Sequence, residues 1–301
     1  MSFWAVLRFL TILPSPPPKK GDVAGDAPGG TRLATPEAGQ SADQGSTDMN
    51  TILILPAAYA GEEVMRLTGR SMIYFPVVGL VIGLLLALLY VILRSFLTSA
   101  VDSVLLVAAL AIITGAHHID GLMDTCDALV AGRTRAQRLE IMADTRVGTF
   151  GVTAAILLLL TKYACLTSAL SLSALLTFPL LSRWAITGLV MLFPAARESG
   201  SFSALKGGAD WKGFAGATAI ALAACILLNG LIVGPLLMAG LFGLLYCLAL
   251  LFQRLFGGLT GDCCGALIET GEAITLVLSL ALLHLLPYIS NYNLLKIPFP
   301  F

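Results

Sequence analysis

Gly115-Ala-His-His-Ile-Asp120-Gly-Leu-Met-Asp124-Thr-Cys-Asp127-Ala-Leu places three carboxylates and two histidines within fifteen residues. On a helix at about 100° per residue, Asp120, Asp124 and Asp127 fall within about 60° of one another, with His117 close to the same stripe. His118 points to the opposite side if the helix is unbroken, and Gly121 leaves that continuity open. Three like charges on one face repel and raise one another's pKa unless a cation joins them. Carboxylates with few nitrogen or sulfur partners suit a hard cation such as Mg²⁺, which keeps waters and bridges to phosphate oxygens. A solvated helix end is the plainer reading.

Two further stretches carry usable groups. Leu139-Glu-Ile-Met-Ala-Asp144-Thr-Arg146-Val-Gly148-Thr-Phe-Gly151 sets an acid and a base beside glycines that permit close approach of a ligand, although Asp144 would also serve as a helix N-cap. Gly257-Gly258-Leu-Thr260-Gly261-Asp262-Cys-Cys-Gly265 puts glycines before an acid and a helix start. That order resembles a turn whose backbone N–H groups face a phosphate. No strand precedes it and no Lys-Ser/Thr follows, so a P-loop or a Rossmann turn is unsupported, and a re-entrant membrane turn is the alternative. Downstream stand Glu269 and Glu272. Lys162 and Arg183 lie inside apolar runs, where each must meet a carboxylate or a phosphate. The loop Ala196-Arg197-Glu198-Ser199-Gly200 is nonspecific by itself, Arg133, Arg135 and Arg138 read as charge flanking a span, and His284 reads as a packed core residue.

The elements that must position these groups follow from composition. Of 301 residues, 57% are hydrophobic and 12% charged, and mean hydropathy is +0.88. Soluble domains carry about 25% charged residues, so lipid must cover much of this surface. The expected fold is all-α, a polytopic integral membrane bundle of about seven transmembrane helices. Candidate spans run at 72–93, 103–119, 151–170, 172–193, 214–231, 235–255 and 272–290. Residues 1–14 read as an interfacial or core-packed helix, 15–50 as a disordered insert rich in Pro, Gly, Ser and Asp, and 51–301 as one transmembrane catalytic domain. With the 120–150 loop inside, fourteen Lys and Arg fall on the inner side and two, Arg94 and Lys296, on the outer. Of the acids, Asp102 alone falls outside. One polar face and one bare face favour chemistry at a rim over passage across, which weighs against a transporter or a channel. Basic and acidic residues balance at 18 each, which gives nucleic acid no attractive field. Six cysteines without a CxxC pair argue against a zinc ribbon or a disulfide framework.

His118-Ile-Asp120-Gly121-Leu-Met-Asp124-Thr-Cys-Asp127, Glu140-Ile-Met-Ala-Asp144-Thr-Arg146-Val-Gly148 and Gly257-Gly258-Leu-Thr-Gly261-Asp262-Cys-Cys-Gly265-Ala together resemble the cobalamin synthase family, adenosylcobinamide-GDP ribazoletransferase. Phe75-Pro76-Val-Val-Gly79 and Ala196-Arg197-Glu198 add to the likeness, which covers all but residues 15–50. Ser201-Phe202-Ser203 departs from the Gly-rich stretch usual there.

The resemblance implies a Mg²⁺-dependent membrane enzyme. A ribose hydroxyl of α-ribazole (or its 5′-phosphate) attacks the cobinamide-proximal phosphorus of adenosylcobinamide-GDP, and GMP leaves. Asp120, Asp124 and Asp127 would hold Mg²⁺, Asp144 or Asp262 would complete its shell, and one carboxylate or His118 would take the hydroxyl proton. Arg146, Lys162 and Arg183 would meet the phosphates, with Arg197, Gly258 and Gly261 as further binding residues. It also implies a bacterial inner membrane, a site facing the cytoplasm, and self-association or a complex with other late cobamide-assembly enzymes. A CDP-alcohol phosphotransferase is the nearest rival, but its D-x₂-D-G-x₂-A-R pattern fails here: His117 stands three before Asp120, and Met123-Asp124 replaces Ala-Arg.

Overall fold

Among the described residues six helices are long and apolar enough to cross a membrane, or up to seven if one helix pair bent by 89° counts as a single span, so the chain is a polytopic helical membrane bundle. The computed structural model describes residues 6, 7, 10, 11, 57–168 and 171–291. The insert at 15–50 and most of the 1–14 helix lie outside them, although Val6, Leu7, Leu10 and Thr11 are buried in the core.

In chain order the helices are α1 (Ala57–Arg70), α2 (Phe75–Leu93, preceded by a 3₁₀ turn at Met72–Tyr74), α3 (Ser99–Ile113) and α4 (His117–Ala131). They continue with α5 (Arg135–Ile141), α6 (Thr149–Ser168), α7 (Leu172–Leu192) and α8 (Ser201–Gly208). The last three are α9 (Trp211–Asn229), α10 (Val233–Phe256) and α11 (Gly261–Asn291). Among the described residues there is no strand, only one isolated parallel bridge between Ala195 and Leu259.

The central helix is α7, whose apolar window is 83% buried against 17–50% for the other spans. In lipid, helices associate through close packing more than through the hydrophobic effect, and small residues permit that approach. Gly79 and Gly83 supply it on α2: a Cβ at Gly79 would stand 2.3 Å from the Pro179 carbonyl oxygen, and one at Gly83 would stand 2.7 Å from that of Leu175. Pro179 lies inside α7 and cannot donate to a carbonyl in the preceding turn. The same device joins the short helices, where Gly69 abuts the Leu205 carbonyl and Gly208 that of Arg66. Lys206 of α8 then donates to the last carbonyls of α7, Val190 (2.9 Å) and Met191 (3.2 Å).

The structure moves two expected boundaries. The second span ends at Ile113, short of 119, because Gly115 (φ 64°) and Ala116 (φ 56°) turn the chain through the left-handed region and α4 leaves α3 at 89°. The last span starts at Gly261, eleven residues earlier than the expected 272, so Asp262, Glu269 and Glu272 all belong to it. Burial of these two glutamates is sustained by cations from other helices. Lys162 Nζ of α6 lies 2.5 Å from Glu269 Oε2 and 2.5 Å from Glu272 Oε2, and Arg183 Nη1 of α7 binds Glu272 Oε1. All four side chains are at most 2% exposed.

Candidate active site

The site forms where α4 crosses the first turns of α11. Glycine on each helix brings the two backbones into contact: a Cβ at Gly121 would stand 2.8 Å from the Asp262 carbonyl oxygen, and one at Gly265 would stand 3.1 Å from that of His118. The crossing sets Asp120, Asp124 and Asp262 against one another. Asp120, Asp262 and Asp127 each act as like charges on Asp124, and Asp120 does so on Asp262. Asp120 is exposed while Asp124 and Asp262 are half-buried, so the group opens outward. Arg197, exposed, is the cation whose field reaches Asp262, and its Nη2 donates to the Leu139 carbonyl (2.5 Å).

Asp127, expected as a third metal ligand, is buried and engaged elsewhere. Its two oxygens accept from the backbone N–H groups of Gly148 (2.7 Å) and Gly151 (2.8 Å), so it caps the start of α6. Glycine is required at both positions, since a Cβ would stand 2.3 Å and 2.5 Å from the carboxylate oxygens. Asp144 faces solvent in the loop between α5 and α6, paired with Arg146 at 2.6 Å. The hydrogen bonds from Arg146 hold the Asp144 carboxyl down to about 2.

The glycines before α11 serve a chain crossing. Gly257 (φ 81°) ends α10, and Gly258 (φ 157°) lies against Pro194–Ala196, where a Cβ would stand 2.6 Å from backbone. Ala196 N donates to Leu259 O (2.9 Å) and Leu259 N to Pro194 O (2.9 Å). Arg135 of α5 packs its guanidinium on Gly257 and donates to the Ala196 carbonyl (2.8 Å). Thr260 caps α11 by accepting from Cys263 N (3.1 Å), and Gly261 makes room for Ser201. Gly258, expected at a phosphate, therefore faces protein backbone, whereas Gly261 stands at the helix start against the Ser201 side chain.

Lys162 and Arg183, expected at phosphates, have Glu269 and Glu272 as their partners in the bundle interior. His118, a candidate proton acceptor, is 7% exposed and turned inward. Spacing alone did not reveal the cap made by Asp127 or the latch made by Arg135. Gly148-x-x-Gly151 was the available sign of the first, and nothing distinguished Arg135 from its neighbouring arginines.

Among the described residues, no three His, Cys, Asp or Glu side chains already surround one point as metal ligands. The donor set nonetheless fits Mg²⁺, which is usually held by one or two carboxylates together with substrate phosphates and waters. Asp120, Asp124 and Asp262 offer hard oxygens and carry mutual repulsion that a divalent cation would relieve.

The cobalamin-5-phosphate synthase family matches residues 46–280, which takes in α4 and the part of α11 that carries the site. The chain belongs to that family. Over 217 residues it is 39% identical to the adenosylcobinamide-GDP ribazoletransferase of Geotalea daltonii, covering 71% of this chain and 87% of that protein. The proteins of the same name from Bradyrhizobium diazoefficiens (37% over 242 residues, 76% and 90% covered) and Roseiflexus sp. (36% over 209 residues, 69% and 78%) are similar to it in the same way. No solved structure matches the chain significantly. Membership in the family makes the protein a membrane transferase of cobalamin biosynthesis.

Proposed function

We propose that this cobalamin synthase family member joins adenosylcobinamide-GDP to α-ribazole or α-ribazole 5′-phosphate in a Mg²⁺-dependent reaction that releases GMP. The observation that carries the reading is that α4 packs on the start of α11 through Gly121 and Gly265, which brings Asp120 and Asp124 within electrostatic reach of Asp262, with the charge of Arg197 also acting on Asp262. Phosphoryl transfer requires alignment and charge neutralisation more than covalent catalysis, and the site is built from groups that do both. Asp120, Asp124 and Asp262 would hold Mg²⁺. When bound, that ion supplies charge neutralisation on the diphosphate.

The chain's own side chains supply the rest. The positive end of the α11 dipole favours the anionic diphosphate. Arg197, and Arg146 once released from Asp144, neutralise phosphate oxygens and the departing GMP. A ribose hydroxyl forms the new O–P bond as the bond to GMP breaks, and its proton passes to a carboxylate of the Asp group. The excess of Lys and Arg on the acidic side supports a site facing the cytoplasm of a bacterial inner membrane.

The test is incubation of membranes holding the protein with adenosylcobinamide-GDP and α-ribazole, with and without Mg²⁺. GMP should appear only when both substrates and the cation are present. Lack of GMP, or release of CMP from CDP-alcohols in its place, would overturn the reading.

A further inference from the structure

Asp262, Gly265, Glu269 and Glu272 recur on α11 at intervals of three, four and three residues and so share one face. That face descends about 15 Å from the acidic site into the bundle. At its upper end Asp262 meets Gly121 of α4, one turn down Gly265 meets the His118 backbone, and lower still Glu269 and Glu272 hold Lys162 and Arg183. The buried His118 side chain lies within electrostatic reach of this lower cluster, and the charges of Arg183, Glu272 and Lys162 all act on its imidazole. His118 Nδ1 is fully buried without a protein hydrogen-bond partner, and so are Nε and Nη2 of Arg183. With the proton on Nε2, Nδ1 is an acceptor that complements the two unused donors of Arg183, because unpaired polar atoms at such depth are costly.

We propose that His118 is a positioning residue. Its Nδ1 accepts from a single water that in turn accepts from Arg183, and this bridge anchors α4 to the buried charge cluster. The anchor fixes the register of α4 on α11, and with it the placement of Asp120 and Asp124 relative to Asp262. Arg183 is in turn held by Glu272 and by Ser182 Oγ (3.0 Å), so the anchor point is rigid. The proposal rests on the assignment of those three carboxylates to the metal and the diphosphate.

Two variants and one spectrum test it. His118→Asn keeps an acceptor and His118→Leu removes it. GMP release as a function of Mg²⁺ should be within about threefold of the original protein in H118N, while H118L should need at least about tenfold more Mg²⁺ and still recover its plateau rate to within about threefold. A lower plateau at unchanged Mg²⁺ requirement in both variants would assign His118 to proton transfer and overturn the proposal, and unaltered behaviour of H118L would also overturn it. The spectrum needs no substrate. In ¹⁵N-histidine-labelled protein the His118 Nδ1 resonance should report an acceptor and should shift in Arg183→Lys, and an identical resonance in both proteins overturns the anchor. The expected spectra without GMP release from the original protein would sink the assigned reaction and leave the anchor standing.

Discussion

Both oxygens of Asp127 are taken by N–H groups at the start of α6, which leaves Asp120 and Asp124 as the acids of α4 able to act outside the bundle. The consequences differ by residue. Asp120→Asn or Asp124→Asn should lower GMP release by about 10²–10³-fold with normal membrane insertion, as expected for loss of one preorganised electrostatic contact. Asp127→Asn should act first on stability, costing about 1 kcal/mol through a weakened cap, which thermal unfolding in detergent would register. Divalent cation should raise the melting temperature by relieving repulsion among Asp120, Asp124 and Asp262. The gain is about 2.7 kcal/mol at a hundred times Kd, and Asp124→Asn should diminish it. The depressed Asp144 carboxyl behaves in the opposite sense to a repelled acid. Its contribution is complete above its ordinary 3.8 and is lost only as pH falls toward about 2. The shape of the pH–rate profile between about pH 5 and 8 should therefore be the same in Asp144→Asn as in the original protein.

At the scale of helices, most of the bundle was legible. Hydropathy located the spans because lipid demands about 20 apolar residues in each. It misplaced the start of α11, since three acids between 262 and 272 argue against a span when read alone. Their acceptance depends on Lys162, which is 107 and 110 residues away in sequence from Glu269 and Glu272, and on Arg183. The break before α4 was hidden for a related reason: Thr114-Gly115-Ala116 has no proline to announce it, and a non-glycine residue, Ala116, takes a positive φ there. The motif acids were visible in the sequence, but the division between Asp127 as a cap and Asp120 and Asp124 as outward acids depends on where Gly148 and Gly151 come to lie. Two substitutions test the packing. Gly79→Val should destabilise the bundle by about 1–3 kcal/mol, because its side chain meets the backbone of α7 rather than a movable side chain. Glu272→Gln should cost about 3–5 kcal/mol by leaving Arg183 without its counter-charge, and thermal unfolding would measure both.

For the molecule as a whole, the family match begins at residue 46, beyond most of the Pro- and Gly-rich stretch at 15–50. A chain lacking 15–50 should release GMP within about twofold of the full chain, given a composition too polar to add to a packed core. The charge cluster of α6, α7 and α11 has a consequence for biogenesis. Ribosomes deliver Lys162 and Arg183 to the bilayer before Glu269 and Glu272 have been synthesised. Every nascent copy thus passes through a stage with two uncompensated cations at membrane depth, and arrival of the final helix ends that stage. Chains cut short before residue 261 would keep those two cations without the carboxylates that balance them in the finished bundle.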